Sequence, residues 1–292
     1  MRVNPNPLPD LLAALEQGQQ QINTDLEQIA SGQTVSAPSD NPAAAASLVV
    51  NADQTSEVDQ FQRSIASIQG EMQNADSTLN SVITALQRAI TLGTEGANGT
   101  LNDSDRQALA VEVQGIQSEL MNLANLTCQG NFVFAGTATQ SAPYAIGANG
   151  VTYSGNDRST RITVGDHLTL QTNLPGSQLF SSPGNDMFQA IQDLITNLQS
   201  GSNIDTAVHE VSSAYSHINA QRVFYGNALN QLSSQQTSLN SESTQLAQQQ
   251  NSLDGADLSK VISDLVNAQT SRQATLQAIG QTQQTNLFSY IK

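Results

Sequence analysis

Residues 204–253 read IDTAVHEVSSAYSHINAQRVFYGNALNQLSSQQTSLNSESTQLAQQQNSL, and an apolar residue returns in them at every seventh position. Ile204, Val211, Ile218, Tyr225, Leu232, Leu239, Leu246 and Leu253 form that series, which is the seam of a coiled-coil helix. The companion seam position decays from Val208 and Tyr215 through Arg222 and Leu229 to Gln236, Ser243 and Gln250. One end of the helix is therefore expected to pack dry and the other wet. At 1.5 Å per residue the segment spans roughly 75 Å and needs a partner helix to cover its seam.

The sequence supplies one between Pro42 and Gly93. Asn41 is a good N-cap, and Pro42 stands at the first helical position, where a missing N–H costs nothing. From Val58 the steps alternate between three and four through Phe61, Ile65, Ile68, Met72, Ala75, Leu79, Val82 and Leu86. Gly93, Gly96 and Gly99 read as a turn, after which Asn102 or Asp103 caps a shorter helix with the stripe Leu109, Val113, Ile116, Leu120 and Leu123. Residues 131–180 change character: the short β-type runs 132–134, 151–153, 161–164 and 168–171 are punctuated by glycine. This insertion is expected to project from the helices, so that a linker replacing 136–179 would leave them intact. Helix resumes near Asn185, breaks at Gly201 and leads into the long seam.

Both ends of the chain are amphipathic helices. Leu8, Leu12, Leu15, Ile22, Leu26 and Ile29 form one stripe, closed by Gly32. Leu258, Ile262, Leu265, Leu276, Ile279, Leu287 and Tyr290 mark the other, after a cap-like restart at 254–257. The expected fold is mainly α: a long antiparallel coiled-coil bundle of N- and C-terminal segments with a small inserted β domain. Its expected parts are a terminal assembly domain (1–42 and 254–292), a central bundle (43–129 and 184–253) and an outer β domain (130–183).

Composition excludes several function classes. The 292 residues carry a formal charge of −15, which opposes binding to nucleic acid or to an anionic membrane surface. No apolar run approaches membrane length, and no secretory signal pattern opens the chain. Only 12% of residues are charged and 4% aromatic, few for helices that stay apart by repulsion, so their outer faces suit packing against more protein. Cys128 is the single cysteine and is expected as a small buried hydrophobe. His209 and His217, eight positions apart, do not form a metal pair, His167 has no companion, and no cofactor or catalytic set is expected.

Several stretches carry a resemblance. Ser31-Gly32 followed by Pro38-Ser39-Asp40-Asn41-Pro42-Ala43-Ala44-Ala45 resembles the signature loop of the flagellin superfamily, with Asn41 where that family writes a second aspartate. Asp103-Ser104-Asp105-Arg106, the run 120–125 and Gly130-Asn131-Phe132-Val133-Phe134-Ala135-Gly136-Thr137 are closer to its hook-associated branch than to flagellin. Pro143-Tyr144, 151–156, Gln178-Leu179-Phe180 and the closing Leu287-Phe288-Ser289-Tyr290-Ile291 extend the likeness in order. The resemblance implies a non-enzymatic bacterial flagellar component on the filament side of the hook–filament junction. It implies export without a cleaved signal through the type III apparatus, a chaperone on the C-terminal helix before export, and an extracellular ring of subunits. Its neighbours would be the hook-side junction protein and flagellin.

Under this reading Leu8, Leu12, Leu15, Ile22, Leu26, Ile29, Leu258, Ile262, Leu265, Leu276, Ile279, Leu287 and Tyr290 form the assembly interface, and the terminal helices fold only on assembly. Alternatives are flagellin itself and a coiled-coil adhesin or sensor with a ligand-binding β domain. A hydrolase would have to draw its carboxylates from Asp157 and Asp166.

Overall fold

The computed structural model describes the backbone of residues 8–147, 150–166 and 168–289, and the side chains of these as far as 282. His167 and Tyr290 lie outside the described residues, as does the side chain of Leu287. In chain order the elements are α1 (Leu8–Ser31), α2 (Pro42–Gly96), α3 (Asp103–Ala124), β1 (Thr127–Cys128), β2 (Asn131–Phe132), β3 (Tyr144–Gly147), β4 (Gly150–Tyr153), β5 (Arg161–Gly165) and β6 (Leu168–Gln171). They continue with α4 (Gly176–Leu179), β7 (Ser181–Ser182), β8 (Asn185–Asp186), α5 (Met187–Ser200), α6 (Ile204–Asp254) and α7 (Leu258–Ser289). The fold is thus mainly α, as its heptads imply. Two compact units emerge, one of Met1–Ser56 with Glu242–Lys292 and one of Glu57–Ser241, the division falling inside α2 and α6.

The unit of 57–241 is built on the seam read from sequence. Ile204, Val211, Ile218, Tyr225, Leu232 and Leu239 are all buried, as are Val58, Ile65, Met72, Leu79, Val82 and Leu86 of α2. Burying each large side chain contributes about 1.5–3 kcal/mol. Polar pairs fix direction and register: Gln62 donates to Asn240, Arg222 to Asp76, and Gln87 to the Tyr215 hydroxyl. One residue number climbs as the other falls, so α2 and α6 are antiparallel. Arg222 stands in the seam as the heptad says, and its guanidinium forks onto Asp76 at 2.6 and 2.9 Å while Nη1 donates to Asn80 at 2.8 Å.

Helix ends follow local chemistry. The Asn41 side chain accepts from the amide of Ala44, Asn102 from that of Asp105, and Asp186 from that of Gln189. α5 stops at Gly201, whose φ of 69° is left-handed. Helix α3 turns back along α2, with an ion pair between Arg88 and Glu112, and α5 packs on α3.

Gly93 and Gly96 do not make the expected turn: α2 runs on through them. Both are buried, and a Cβ at Gly93 would sit 2.5 Å from Val208 Cγ2 and 2.9 Å from Leu194 Cδ1. One at Gly96 would overlap Leu198. These glycines let α5 and α6 approach the α2 backbone, a tertiary need that mimics a turn signal in the sequence.

Among the described residues the β segment forms four separate antiparallel two-stranded pairs, β1–β2, β3–β4, β5–β6 and β7–β8. It is no free outgrowth. Phe134, Tyr144 and Phe180 are buried, and Tyr144 packs on Phe180 and on Phe188 of α5 with ring centroids 6.0 and 5.0 Å apart. The Tyr225 hydroxyl of α6 accepts from the Leu174 amide at 3.3 Å. The expectation that 136–179 could be replaced without disturbing the helices is therefore corrected: these residues share the bundle core. The short alternating strands hid this, since the buried aromatics lie largely in turns and at strand ends.

In the other unit, α1 and α7 pack as a pair. Their adjoining ends are clamped: the Ala256 amide donates to Gly32 O, the Thr34 amide to Asp254 O at 2.7 Å, and the Val35 amide to Asp254 Oδ1 at 2.7 Å. The end of α1 therefore meets the start of α7, and the two run antiparallel. Within the same unit the buried Asn51 side chain of α2 donates to Leu246 O of α6 at 3.0 Å.

Gly93→Ala should lower the melting temperature, because overpacking costs about 1–3 kcal/mol against a helix-propensity gain of at most about 1 kcal/mol. An unchanged or raised midpoint in a thermal scan would refute the close-approach role. Burial pushes the Tyr144 and Tyr225 hydroxyls well above their ordinary pKa near 10. The folded state holds these protons more tightly than the unfolded chain, so the stability they contribute is intact below about pH 10 and is lost as pH rises beyond it. Tyr225→Phe should flatten the alkaline limb of a stability–pH curve, at a cost of about 1 kcal/mol near neutrality from the lost bond to Leu174.

Candidate assembly interface

The terminal stripes resolve into two faces. At alternating steps of three and four, Leu8, Leu11, Leu15, Gly18, Ile22, Asp25 and Ile29 form the inner seam of α1, all buried or half-buried. Val261, Leu265, Ala268, Thr275 and Ile279 are its counterparts on α7. Of the residues singled out from sequence, Leu8, Leu15, Ile22, Ile29, Leu265 and Ile279 thus lie on the side that packs within the chain, with Ile22 fully buried.

Leu12, Leu26, Leu258, Ile262 and Leu276 lie elsewhere, 46–50% exposed. Val266, not singled out from sequence, joins them at 55% exposure. At about 100° per residue, Leu258, Ile262, Val266 and Leu276 fall within roughly 80° of arc, about 100° around α7 from its inner seam. Leu12 and Leu26 hold the matching place on α1. The sequence showed a single broad stripe because neighbours such as Leu11 and Leu12 lie only about 100° apart, and periodicity alone does not divide inner from outer. Leu11 and Val261 were missed for the same reason.

Charge is unevenly placed on the two helices. α1 carries Asp10, Glu16, Asp25 and Glu27 and no cation, whereas Lys260 and Arg272 outnumber Asp264 on α7. This outer face has no chemistry beyond apolar area and sign of charge.

The remaining candidates are weaker. Cys128 is half-buried in the β1–β2 hairpin rather than in the core, with Asn74 Nδ2 at 3.5 Å from its sulfur. Gln129 and Gly130 both take positive φ and form the tight turn that closes this hairpin. A half-open cleft of about 290 Å³ lies beside it, lined among others by Ile68, Glu71, Phe132 and Asn173. His217 contacts Gln178 O at 2.7 Å, and His209 is exposed. Asp157 accepts from the Ser177 hydroxyl, and Asp166 is exposed. Among the described residues no three His, Cys, Asp or Glu side chains are grouped to hold a metal, and no helix is long and apolar enough to cross a membrane.

Comparison with known proteins agrees with this architecture. The pattern of the bacterial flagellin N-terminal helical region matches residues 9–139. Flagellar hook-associated protein 3 of Salmonella typhimurium is 29% identical over 288 residues, covering 90% of each chain. That of Escherichia coli is 26% identical, covering 91% of this chain and 92% of its own. The crystal structure of flagellar hook-associated protein-3 from Legionella pneumophila superposes with a TM-score of 0.65 at 15% identity, over 70% of this chain and 98% of its own. The chain thus shares its fold with these proteins, carries a region similar to the flagellin N-terminal helical region, and is similar to flagellar hook-associated protein 3 nearly from end to end.

Proposed function

We propose that this chain is a structural subunit of the bacterial flagellum that joins hook to filament. Its relatives form a family of structural flagellar proteins rather than of enzymes. The observation that supports an assembly role in this chain is the exposed apolar stripe on the α1–α7 pair, six large side chains that the chain itself leaves in contact with water. An apolar stripe of that kind marks a protein-binding face.

In our reading the face takes copies of the same chain, arranged as a ring. Contact between the acidic α1 of one copy and the outer face of α7 of the next is heterologous, the kind that closes rings or extends helices. The signs of charge are complementary in that arrangement and opposed in an α1-to-α1 contact. Above and below the ring would lie the hook-side junction protein and flagellin. Before assembly a chaperone would cover α7 during export through the type III apparatus to the cell exterior. Terminal helices with so much uncovered apolar surface would gain full order only among neighbours, coupling folding to polymerisation. Residues 1–42 and 254–292 would then act as the assembly domain, and 43–129 with 184–253 as the central bundle on which the β segment packs.

A strain lacking the protein should carry hooks without filaments and shed flagellin into the medium, and the wild-type chain should restore filaments. Ile262→Asp and Leu26→Asp, at exposed positions, should shift monomer stability by no more than about 0.5 kcal/mol yet fail to restore filaments. Filaments on the deletion strain would overturn the junction role, and full rescue by both variants would overturn the interface. Amides of 265–287 should exchange rapidly in the monomer and slow in assembled flagella; equal protection in both states would remove the coupling of folding to assembly.

A further inference from the structure

Asp25 stands where the α1–α7 seam calls for a hydrophobe. It falls between Ile22 and Ile29 in the inner series of α1, and it is 2% exposed. Its Oδ1 accepts one hydrogen bond, from Gln21 Nε2 at 2.8 Å. Its Oδ2 is buried with no hydrogen-bond partner, alone in this among the side-chain polar atoms of the described residues. The charged groups of α7, Lys260, Asp264 and Arg272, are exposed, and none of the ion pairs among the described residues includes Asp25.

A carboxylate sealed in an apolar seam with one amide donor opposes the packing around it. Ionised carboxylates want several donors, and leaving an oxygen without any costs more than an ordinary hydrogen bond returns. The seam would close more tightly with almost any neutral residue of similar size. We propose that Asp25 is a conformational check built into the terminal helix pair: it keeps α1 and α7 of an unassembled subunit in ready exchange between closed and open, so that a second copy can capture them. The inference rests on the assembly reading given above. It adds the residue that prevents the two helices from satisfying each other within one chain.

The location supports the device. The clamp at Gly32–Val35 and Asp254–Ala256 holds the ends of α1 and α7 together by hydrogen bonds that lie outside the seam. Opening then needs only the seam beyond the clamp to part, and Asp25 lies about two turns into it. Gln21, one turn further along α1, is exposed and holds the carboxylate by its side chain alone, a bond that is easily given up.

Native-state hydrogen exchange on the full-length monomer tests the check without requiring assembly. Asp25→Asn, which keeps the shape and replaces the carboxyl by an amide, should slow exchange of the α1 and α7 amides about tenfold, and Asp25→Leu by more. Gln21→Leu, which removes the one donor, should speed it. Amides around Leu79 and Leu232 in the other unit should not change and report that each variant is folded. Unchanged or faster exchange in both Asp25 variants would overturn the proposal. In a second arm, addition of purified subunits to hooks from the deletion strain should be slower for Asp25→Leu than for wild type. Slower exchange with undiminished assembly would reduce Asp25 to a local stability defect and overturn the check. A wild-type chain that failed to restore filaments would overturn the junction reading, while the exchange result would stand by itself.

Discussion

The antiparallel seam between α2 and α6 in the unit of 57–241 is the constraint on which that unit depends. Its apolar layers, Ile65, Met72, Leu79 and Leu86 on one helix and Ile218, Tyr225, Leu232 and Leu239 on the other, are buried without remainder. Hydrophobic layers repeat, and a repeat by itself tolerates a slip by one heptad. The fork of Arg222 on Asp76 and Asn80 removes that freedom, because a slip would leave a half-buried guanidinium and carboxylate unpaired. Tyr225 then extends the seam outward. Its ring belongs to the heptad and its hydroxyl to the Leu174 amide, so the β segment is hung on the same helix that sets the register.

A second constraint is how the helices treat water. Only 12% of residues are charged, yet the outer faces are far from apolar. Serine and threonine fill them, and many turn their hydroxyls back onto the carbonyl four residues earlier, as Thr55, Thr84, Thr91, Thr196 and Thr237 do. Such a surface is polar enough to dissolve and already satisfied within its own helix. A neighbour can cover it without stripping ion pairs. The exposed stripe on α1 and α7 adds attraction to a surface that is otherwise merely permissive.

The two units use the same coiled-coil grammar to different ends. In the bundle the seams end in full burial, with Gly93 and Gly96 admitting α5 and α6 to the α2 backbone. In the terminal pair half-buried residues, a glycine and a buried carboxylate interrupt the seam, and six large apolar side chains face outward. The proposed junction role gives a reason for the difference: one part would persist in the monomer and the other would yield to neighbours.

Much of this was legible in the sequence. Heptads fixed on Leu232 and Leu79, caps at Asn41, Asn102 and the end of α5 at Gly201 are local: a period, a side-chain oxygen and a left-handed φ need only a few neighbouring residues to take effect. Family resemblance was legible for the same reason, since its motifs lie in loops and helix ends. What only the tertiary structure decided depends on residues far apart in the chain. That Gly93 is a contact rather than a turn depends on Val208 and Leu194, and that the β segment is part of the core depends on Phe188 and Tyr225. The division of the terminal stripes into an inner and an outer face likewise depends on where α7 lies against α1. Periodicity states that a face is apolar; only the partner helix decides which part of it is covered and which is left for another chain.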